Sequence, residues 1–364
     1  MRQRSIPYMQ LRGGSSKGLY FHKKDLPQDE ITRNKVILAA MEGVGSGDPR
    51  QIDGLGGATS LTSKVAIIEP SKDKDADLDY LFLQVVIGAG KVSLTQTCGN
   101  ILAGVLPFAI ESGVIKALTP TTSARIRMVN TGGLCEVVVQ TPNGFVEYEG
   151  DAKVDGVPGT AAAIICNYLD TQGSTCGALL PTGNVVDVID GIEVTCIDNG
   201  MPEVILKAKD FGISGYELMA ELEANVDLKK KLESIRLKAG LLMNLVDVRE
   251  KTIPKMCLVS PPIRGGAIHT RTFIPHVVHE AIGVLGAVST ATACLIKGSV
   301  TEGVAMLSKN GMGNISVEHP SGEFTVNMEM RIDQGKFNVL KSGVIRSARL
   351  LSKGEVFIPG LIWP

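Results

Sequence analysis

Aromatic side chains are scarce in this 364-residue chain, 4% of the total with a single tryptophan, so its interior must be built from aliphatic and small residues. Neither sign of charge dominates: 37 lysines and arginines face 38 aspartates and glutamates. The resulting net charge of −1 offers no field for gripping nucleic acid or an anionic membrane. The basic triplet Lys229-Lys230-Lys231 sits in a mixed-charge segment and reads as a solvated helix face. Seven cysteines, an odd number without a C-x-x-C pair, suggest neither a disulfide framework nor a structural zinc site. The histidines include one close pair, His276 and His279, and no H-E-x-x-H, so no metal is expected. The longest uncharged apolar run, 281–296, is shorter than the roughly 20 residues a membrane span needs. No apolar segment follows the charges of the amino terminus, so no secretory signal is expected and a cytoplasmic protein is.

What is abundant is glycine, at 41 residues, punctuating apolar runs of five to eight residues. That pattern predicts many short strands, over 65–68, 80–87, 125–129, 136–140, 192–197, 204–208, 256–259, 315–318 and 324–328. Helical spacing is rarer and falls on 33–41, 99–111, two linked segments within 216–242, and 276–297. The expected class is α+β.

A weak internal repeat adds organisation. The stretch from Ile126 to Val137 aligns with that from Ile315 to Val326, an offset of 189 (315 minus 126). Near the same offset, the helix beginning at Gly99 falls on the one running from Val288, and Lys64 falls on Lys255. Three matches in one order argue for two similar halves, and small-molecule sites favour the cleft such halves create.

Four stretches carry candidate chemistry. In Arg12-Gly-Gly-Ser-Ser-Lys-Gly18, glycines on both sides of Ser-Ser-Lys allow backbone N–H groups to converge on an anion, although an ordinary glycine turn has the same composition. It is not a Walker A loop, and Gly54-Leu-Gly-Gly57 leads into a strand where a dinucleotide fingerprint needs a helix. Lys64 heads the apolar strand Val65-Ala-Ile-Ile68, where burial would lower its pKa and make it a usable acid or base; the alternative is an edge lysine reaching solvent. Cys98 precedes Gly99-Asn100 at a helix start, where the macrodipole and unpaired N–H groups favour a thiolate and a nearby carboxylate. The offset puts Ala287 opposite Cys98, so one thiol would pair with one lysine.

In combination, Arg12-Gly-Gly-Ser-Ser-Lys-Gly18, Leu61-Thr-Ser-Lys-Val-Ala-Ile67, Cys98-Gly-Asn-Ile-Leu-Ala-Gly104, Thr195-Cys-Ile-Asp-Asn-Gly-Met-Pro202 and Glu318-His-Pro-Ser-Gly322 resemble the signatures of the PrpF family of isomerases. The resemblance covers nearly the whole chain. It implies the diaminopimelate epimerase-like fold: two pseudo-symmetric domains, each a β-barrel-like sheet around a central helix. The first would take residues 1–185, with a terminal strand from 341–364, and the second 186–340. It implies proton transfer without a cofactor on a small unsaturated di- or tricarboxylate, with Lys64 and Cys98 as the acid/base pair. Ser16 corresponds to a substrate-contacting serine, and Ser15 stands where the family is expected to have Thr. Arg12, Lys17, Gly99 and Asn100 join it as expected substrate contacts, with Asn199, Arg271, Ser289 and Ser321 from the second half.

Within the family, the segments 176–184, 194–202 and 271–276 most resemble members that carry out keto/enol tautomerisation of an oxo-tricarboxylate in the breakdown of aromatic compounds. Isomerisation of 2-methylaconitate or methylitaconate is the alternative, and a non-catalytic accessory of an aconitase-like enzyme is a further one. Neither nucleic acid nor membrane is an expected partner; a homodimer is left open.

Overall fold

Strands begin in this chain where β-branched and aliphatic residues cluster, and the computed structural model describes them over residues 2–44, 47–94, 97–307, 313–333 and 336–363. The first strands are β1 (Arg4–Gly13), β2 (Ser16–His22), β3 (Lys64–Pro70), β4 (Leu78–Val86), β5 (Lys91–Ser93), β6 (Thr121–Met128), β7 (Leu134–Gln140) and β8 (Ile164–Tyr168). Between them lie α1 (Glu30–Glu42), α2 (Gly99–Leu102) and α3 (Val105–Glu111). Next come β9 (Asp187–Ile189), β10 (Ile192–Asp198), β11 (Pro202–Lys207), β12 (Lys255–Ser260), β13 (Ile268–Ile274), β14 (Val277–Val278), β15 (Gly313–His319), β16 (Gly322–Asp333) and β17 (Lys336–Arg346). This stretch also carries α4 (Met219–Ala224), α5 (Val226–Leu242) and α6 (Val284–Leu295), and the chain ends in β18 (Ala348–Ile358).

These elements form two compact units, Met1–Asn167 with Ile345–Pro364, and Tyr168–Val344. In the first, β1 pairs antiparallel with β2, β2 parallel with β3, β3 antiparallel with β4, β4 antiparallel with β5 and parallel with β6, and β6 antiparallel with β7. The second runs through the same series with β10, β11, β12, β13, β14, β15 and β16 in those places. Even the outer neighbour repeats: β18 lies antiparallel to β1, and β9 to β10. The class is α+β, with sheet predominating over helix.

Sequence explains the local choices. In β6 the alternation of exposed and buried residues across T-T-S-A-R-I-R-M is the signature of a strand with one wet face. β3, K-V-A-I-I-E-P, is instead buried over its first five residues, because both faces are covered: Val65 and Ile67 lie in the core formed with α1, and Lys64 on the other face lies over the Phe82 ring. Helix α1 starts at Asp29, whose carboxylate accepts the Thr32 N–H at 2.8 Å. Its buried side chains Val36, Ile37, Ala40 and Met41 pack with Leu19, Phe21, Val65 and Leu83 to form the first core. Helix α5 does the same for the second unit through Leu228, Leu232 and Ile235. Among the described residues no helix is long and apolar enough to cross a membrane.

Three expectations need correcting. The single helix over 99–111 is two helices, because Pro107 has no N–H to give the Ala103 carbonyl; the Gly104 N–H bonds to Ile101 O instead. The helix expected from 276 starts only at Val284, since Val277 and Val278 pair with Ile274 and Phe273 as a strand. Residues 168–185 belong with the second unit rather than the first. They are tied to it by Asp198, whose carboxylate accepts the Thr175 and Cys176 N–H groups and whose N–H donates to Leu179 O.

Gly104 is required by a close approach: a Cβ there would lie 2.3 Å from the Tyr20 hydroxyl. That hydroxyl is buried and donates to Ile101 O at 2.7 Å, so it has nowhere to go. Gly104→Ala is expected to cost about 1–3 kcal/mol in urea unfolding, with the Tyr20 bond broken or the α2–α3 junction displaced.

Candidate active site

The loop Gly13–Ser16 between β1 and β2 is shaped by helix α2. A Cβ on Gly13 would stand 2.3 Å from Asn100 O, and one on Gly14, whose φ is +50°, would stand 2.1 Å from Asn100 Oδ1. Asn100 also donates through Nδ2 to Ser15 Oγ at 3.1 Å. Its side chain therefore positions the loop, and what α2 offers a ligand is its first N–H groups, which have no acceptor within the helix. The other side of the loop is held by Arg12, whose Nη1 donates to Gly14 O at 2.9 Å and to Ser347 Oγ at 3.1 Å. Between these anchors Ser16 is buried, yet its Oγ has no hydrogen-bond partner among the described residues.

Lys64 heads β3 and is 7% exposed. Its Nζ donates to Gln84 Oε1 at 2.7 Å and lies 5.2 Å from the centre of the Phe82 ring. Gln84 is held in turn, since its Nε2 donates to Ser63 O at 3.0 Å and Ser60 O at 3.1 Å. Phe82 and Gln84 share one face of β4 with Tyr80, and the Tyr80 hydroxyl donates to Cys98 O at 3.2 Å. One strand face thus supports both the lysine and the residue that caps α2. Cys98 is partly exposed, and beside it Thr97 Oγ1 is buried with no partner among the described residues. The other six cysteines are buried.

The macrodipole argument for Cys98 needs correcting. Helix α2 has only four residues, so little dipole accumulates; what the thiol has is the N-cap position of one turn. Burial, and the proximity of Cys98, push the Tyr20 hydroxyl well above the ordinary phenol value, leaving it a neutral donor.

Beside Ser16 lies a cavity of 840 Å³ lined by Arg12, Ser15, Ser16, Lys17, Thr62 and Arg349 among others. Glu149 and Asp151 also line it, whereas Lys64 and Cys98 do not.

The four candidates of the second unit have other employment. Asn199 is fully buried; its N–H donates to Ser289 Oγ at 3.1 Å and its Nδ2 to Thr292 Oγ1 at 2.8 Å. Ser289, also buried, donates to Met201 O at 2.8 Å. Arg271 is 6% exposed and donates to Glu217 O, Thr270 O and His269 Nε2. Burial and the Arg271 charge lower the His269 pKa, so the ring is neutral and its Nδ1 donates to Glu318 Oε2 at 3.1 Å. Ser321 is exposed at a turn and bonds His319 Nδ1 at 3.2 Å. Polarity and motif position selected these residues, and within their own unit they serve turns and core hydrogen bonds. Sequence reasoning missed Gln84, Phe82, Tyr80 and Tyr20. The alternation Tyr80, Phe82, Gln84 was legible, but only strand register brings it to Lys64.

Comparison with known proteins agrees with this architecture. Over 364 residues the chain is 54% identical to the 4-oxalomesaconate tautomerase of Pseudomonas putida, covering 100% of this chain and 99% of that one. It is 54% identical over 354 residues to the (4E)-oxalomesaconate Delta-isomerase of Novosphingobium sp., covering 97% and 98%. The crystal structure of a methylitaconate-delta-isomerase superposes with a TM-score of 0.89 at 35% identity, covering 100% of this chain and 97% of that one. The family profile described as PrpF protein matches residues 3–359, and the chain belongs to the PrpF family.

Proposed function

We propose that the protein is an isomerase that tautomerises 4-oxalomesaconate, moving a carbon-bound proton and a double bond by 1,3-allylic transfer. The observation that carries this reading is the position of Lys64 and Cys98 by one face of β4, next to a loop with a buried serine that has no partner among the described residues. The 54% identity to two oxalomesaconate isomerases along essentially the whole chain supports the choice of substrate.

A proton on the carbon beside the oxo group is acidic enough for a side-chain base once the enolate that forms is held by donors. One member of the Lys64/Cys98 pair removes that proton and the other delivers one to the far end of the conjugated system, so the product carries the same charge as the substrate. Lys64 is held by Gln84 and Phe82 within a buried setting, which limits its motion to the reacting atoms. Ser16 Oγ and the N–H groups of the first turn of α2 hold the substrate carboxylates and the developing enolate. The reading includes a role in the breakdown of aromatic compounds and a cytoplasmic location, to which seven free thiols lend support.

The test is spectroscopic. Purified protein mixed with the keto form of 4-oxalomesaconate accelerates the change in ultraviolet absorbance that accompanies enolisation, and acts at least tenfold less efficiently on methylitaconate. The opposite preference would assign the chain to methylitaconate-type isomerisation; no acceleration with either would overturn the enzyme reading.

A further inference from the structure

Strand β4 changes partner halfway along. On the side away from β3 it pairs with β6 as far as Tyr80, and with β5 from Gln84 onward. Phe82 stands in the gap between the two, and its ring is the one that Lys64 Nζ lies over. A strand with no neighbour on one side has backbone groups that must be satisfied in some other way.

Asn130 closes that gap. Its Oδ1 accepts the Phe82 N–H at 2.8 Å, and its Nδ2 donates to Phe82 O and to Leu94 O, each at 2.9 Å. One carboxamide thus takes the place of a strand residue beside β4 and ties it to the chain leaving β5. An asparagine in a turn ordinarily bonds its own backbone. Here main-chain bonds from Thr131 N and Gly132 N to Met128 O close the turn, and the Asn130 side chain reaches to Phe82 and Leu94 instead.

What this point of β4 supports is the lysine. Gln84 Nε2 faces three carbonyls, those of Ser60, Ser63 and Val85, at 3.0 to 3.1 Å. With the amide nitrogen so held, Oε1 is the atom left to face Lys64 Nζ, at 2.7 Å. The other half of the chain offers a comparison. Met128 pairs with Tyr80 as Val317 pairs with Ile268, so, two residues further along each strand, the places of Asn130 and Phe82 fall on His319 and Thr270. The second unit, which has Ala287 where the first has Cys98, has neither the carboxamide nor the ring at those positions.

We propose that Asn130 is a positioning residue for Lys64: by holding β4 at Phe82, across the change of partner strand, it keeps the Phe82 ring and Gln84 Oε1 against Nζ. It acts on the rate through the lysine, and a misplacement of about 1 Å at a catalytic group costs on the order of 10²-fold. The kinetic expectation rests on the tautomerase reading; the placement of Lys64 does not.

The test uses Asn130→Asp, which exchanges one nitrogen for oxygen and loses both donated bonds, and Asn130→Ser, which shortens the side chain without adding charge. Circular dichroism checks that each is folded. In both, kcat for 4-oxalomesaconate is expected to fall roughly 10- to 100-fold with KM within about threefold of the wild type. Placed in Lys64→Ala, the same substitutions lower the remaining rate by less than about threefold, because effects that pass through one group do not add. Acylation by acetic anhydride, read by peptide mass mapping, follows the lysine without turnover. In the wild type the buried Lys64 reacts about tenfold or more slower than the exposed Lys24, and in the variants it reacts about fivefold or more faster than in the wild type. An equal rate loss in the Lys64→Ala background, an unchanged kcat in a folded variant, or a Lys64 that is acylated as fast as Lys24 in the wild type or no faster in the variants would overturn the inference. The functional reading fails separately: Asn130-dependent acylation of Lys64 in a protein that does not turn over 4-oxalomesaconate supports the placement and refutes the substrate. Turnover with kcat and acylation both insensitive to Asn130 does the reverse.

Discussion

Lys64→Ala and Cys98→Ser each lower kcat by roughly 10²- to 10⁴-fold, the range that a positioned acid or base contributes. Cys98→Ser is the sharper of the two, because it changes one atom. A hydroxyl is a far weaker acid than a thiol, so the shape of the N-cap is kept while the proton shuttle is broken. The backbone contact that matters for the fold, Tyr80 Oη to Cys98 O, is untouched by either change. Lys64→Ala removes the ammonium from Gln84 and Phe82, but Gln84 keeps its bonds to Ser60 O and Ser63 O, so β3 and β4 stay in register. The double variant is expected to be little worse than the poorer single one, since members of a shuttle act as a unit. Single-turnover absorbance with folded protein, checked by circular dichroism, reads the result; wild-type turnover in either variant would remove that residue from the mechanism.

Lys64 and Cys98 were conspicuous because their surroundings are unusual for a sequence: a lysine at the head of an aliphatic strand, and a cysteine directly before Gly-Asn and a helix. Their supports were not. Gln84 and Phe82 look like any alternating strand residues, and their role comes from a register that pairs Lys64 with Gln84 over a separation of 20 residues. The break after α2 was written in Pro107, a proline inside a helical pattern, and the reading over 99–111 passed over it. Asn199 and Ser289 are a different case. A polar residue near a motif reads as a ligand contact, but a buried turn needs hydrogen bonds just as strongly, and sequence alone does not distinguish the two uses.

The internal repeat was the most informative faint signal. Three short matches anticipated seven corresponding pairings, and the register then aligns positions no motif relates. In the first unit Lys64 at the start of β3 is paired with Gly18 of β2; in the second, Lys255 at the start of β12 is paired with Glu203 of β11. Where the first unit has a glycine on the parallel neighbour of its lysine, the second has a buried carboxyl group.

That carboxyl group predicts the second large effect: Glu203→Gln stabilises the protein, and more so as pH rises. Glu203 is fully buried; Oε2 accepts the Thr290 hydroxyl at 2.9 Å and Oε1 has no partner among the described residues. Desolvation raises its pKa to about 8, against the smaller opposing effects of Thr290 and Lys255. An acid whose folded-state pKa is raised contributes its full stability below the unfolded value of 4.5, and loses it progressively as pH climbs toward about 8. At pH 7 the unfolded chain gains by ionising while the folded protein holds a neutral acid, a penalty of up to about 3 kcal/mol. Glutamine has the shape of the protonated acid, accepts from Thr290 in the same way, and does not ionise in the unfolded chain. Urea unfolding should therefore show the variant more stable by about 1–3 kcal/mol at pH 8, with the gap narrowing to a few tenths at pH 4.5. A carboxylate that was instead ionised and paired with Lys255 in the folded state would give the opposite sign, a variant weaker at pH 8 than the wild type.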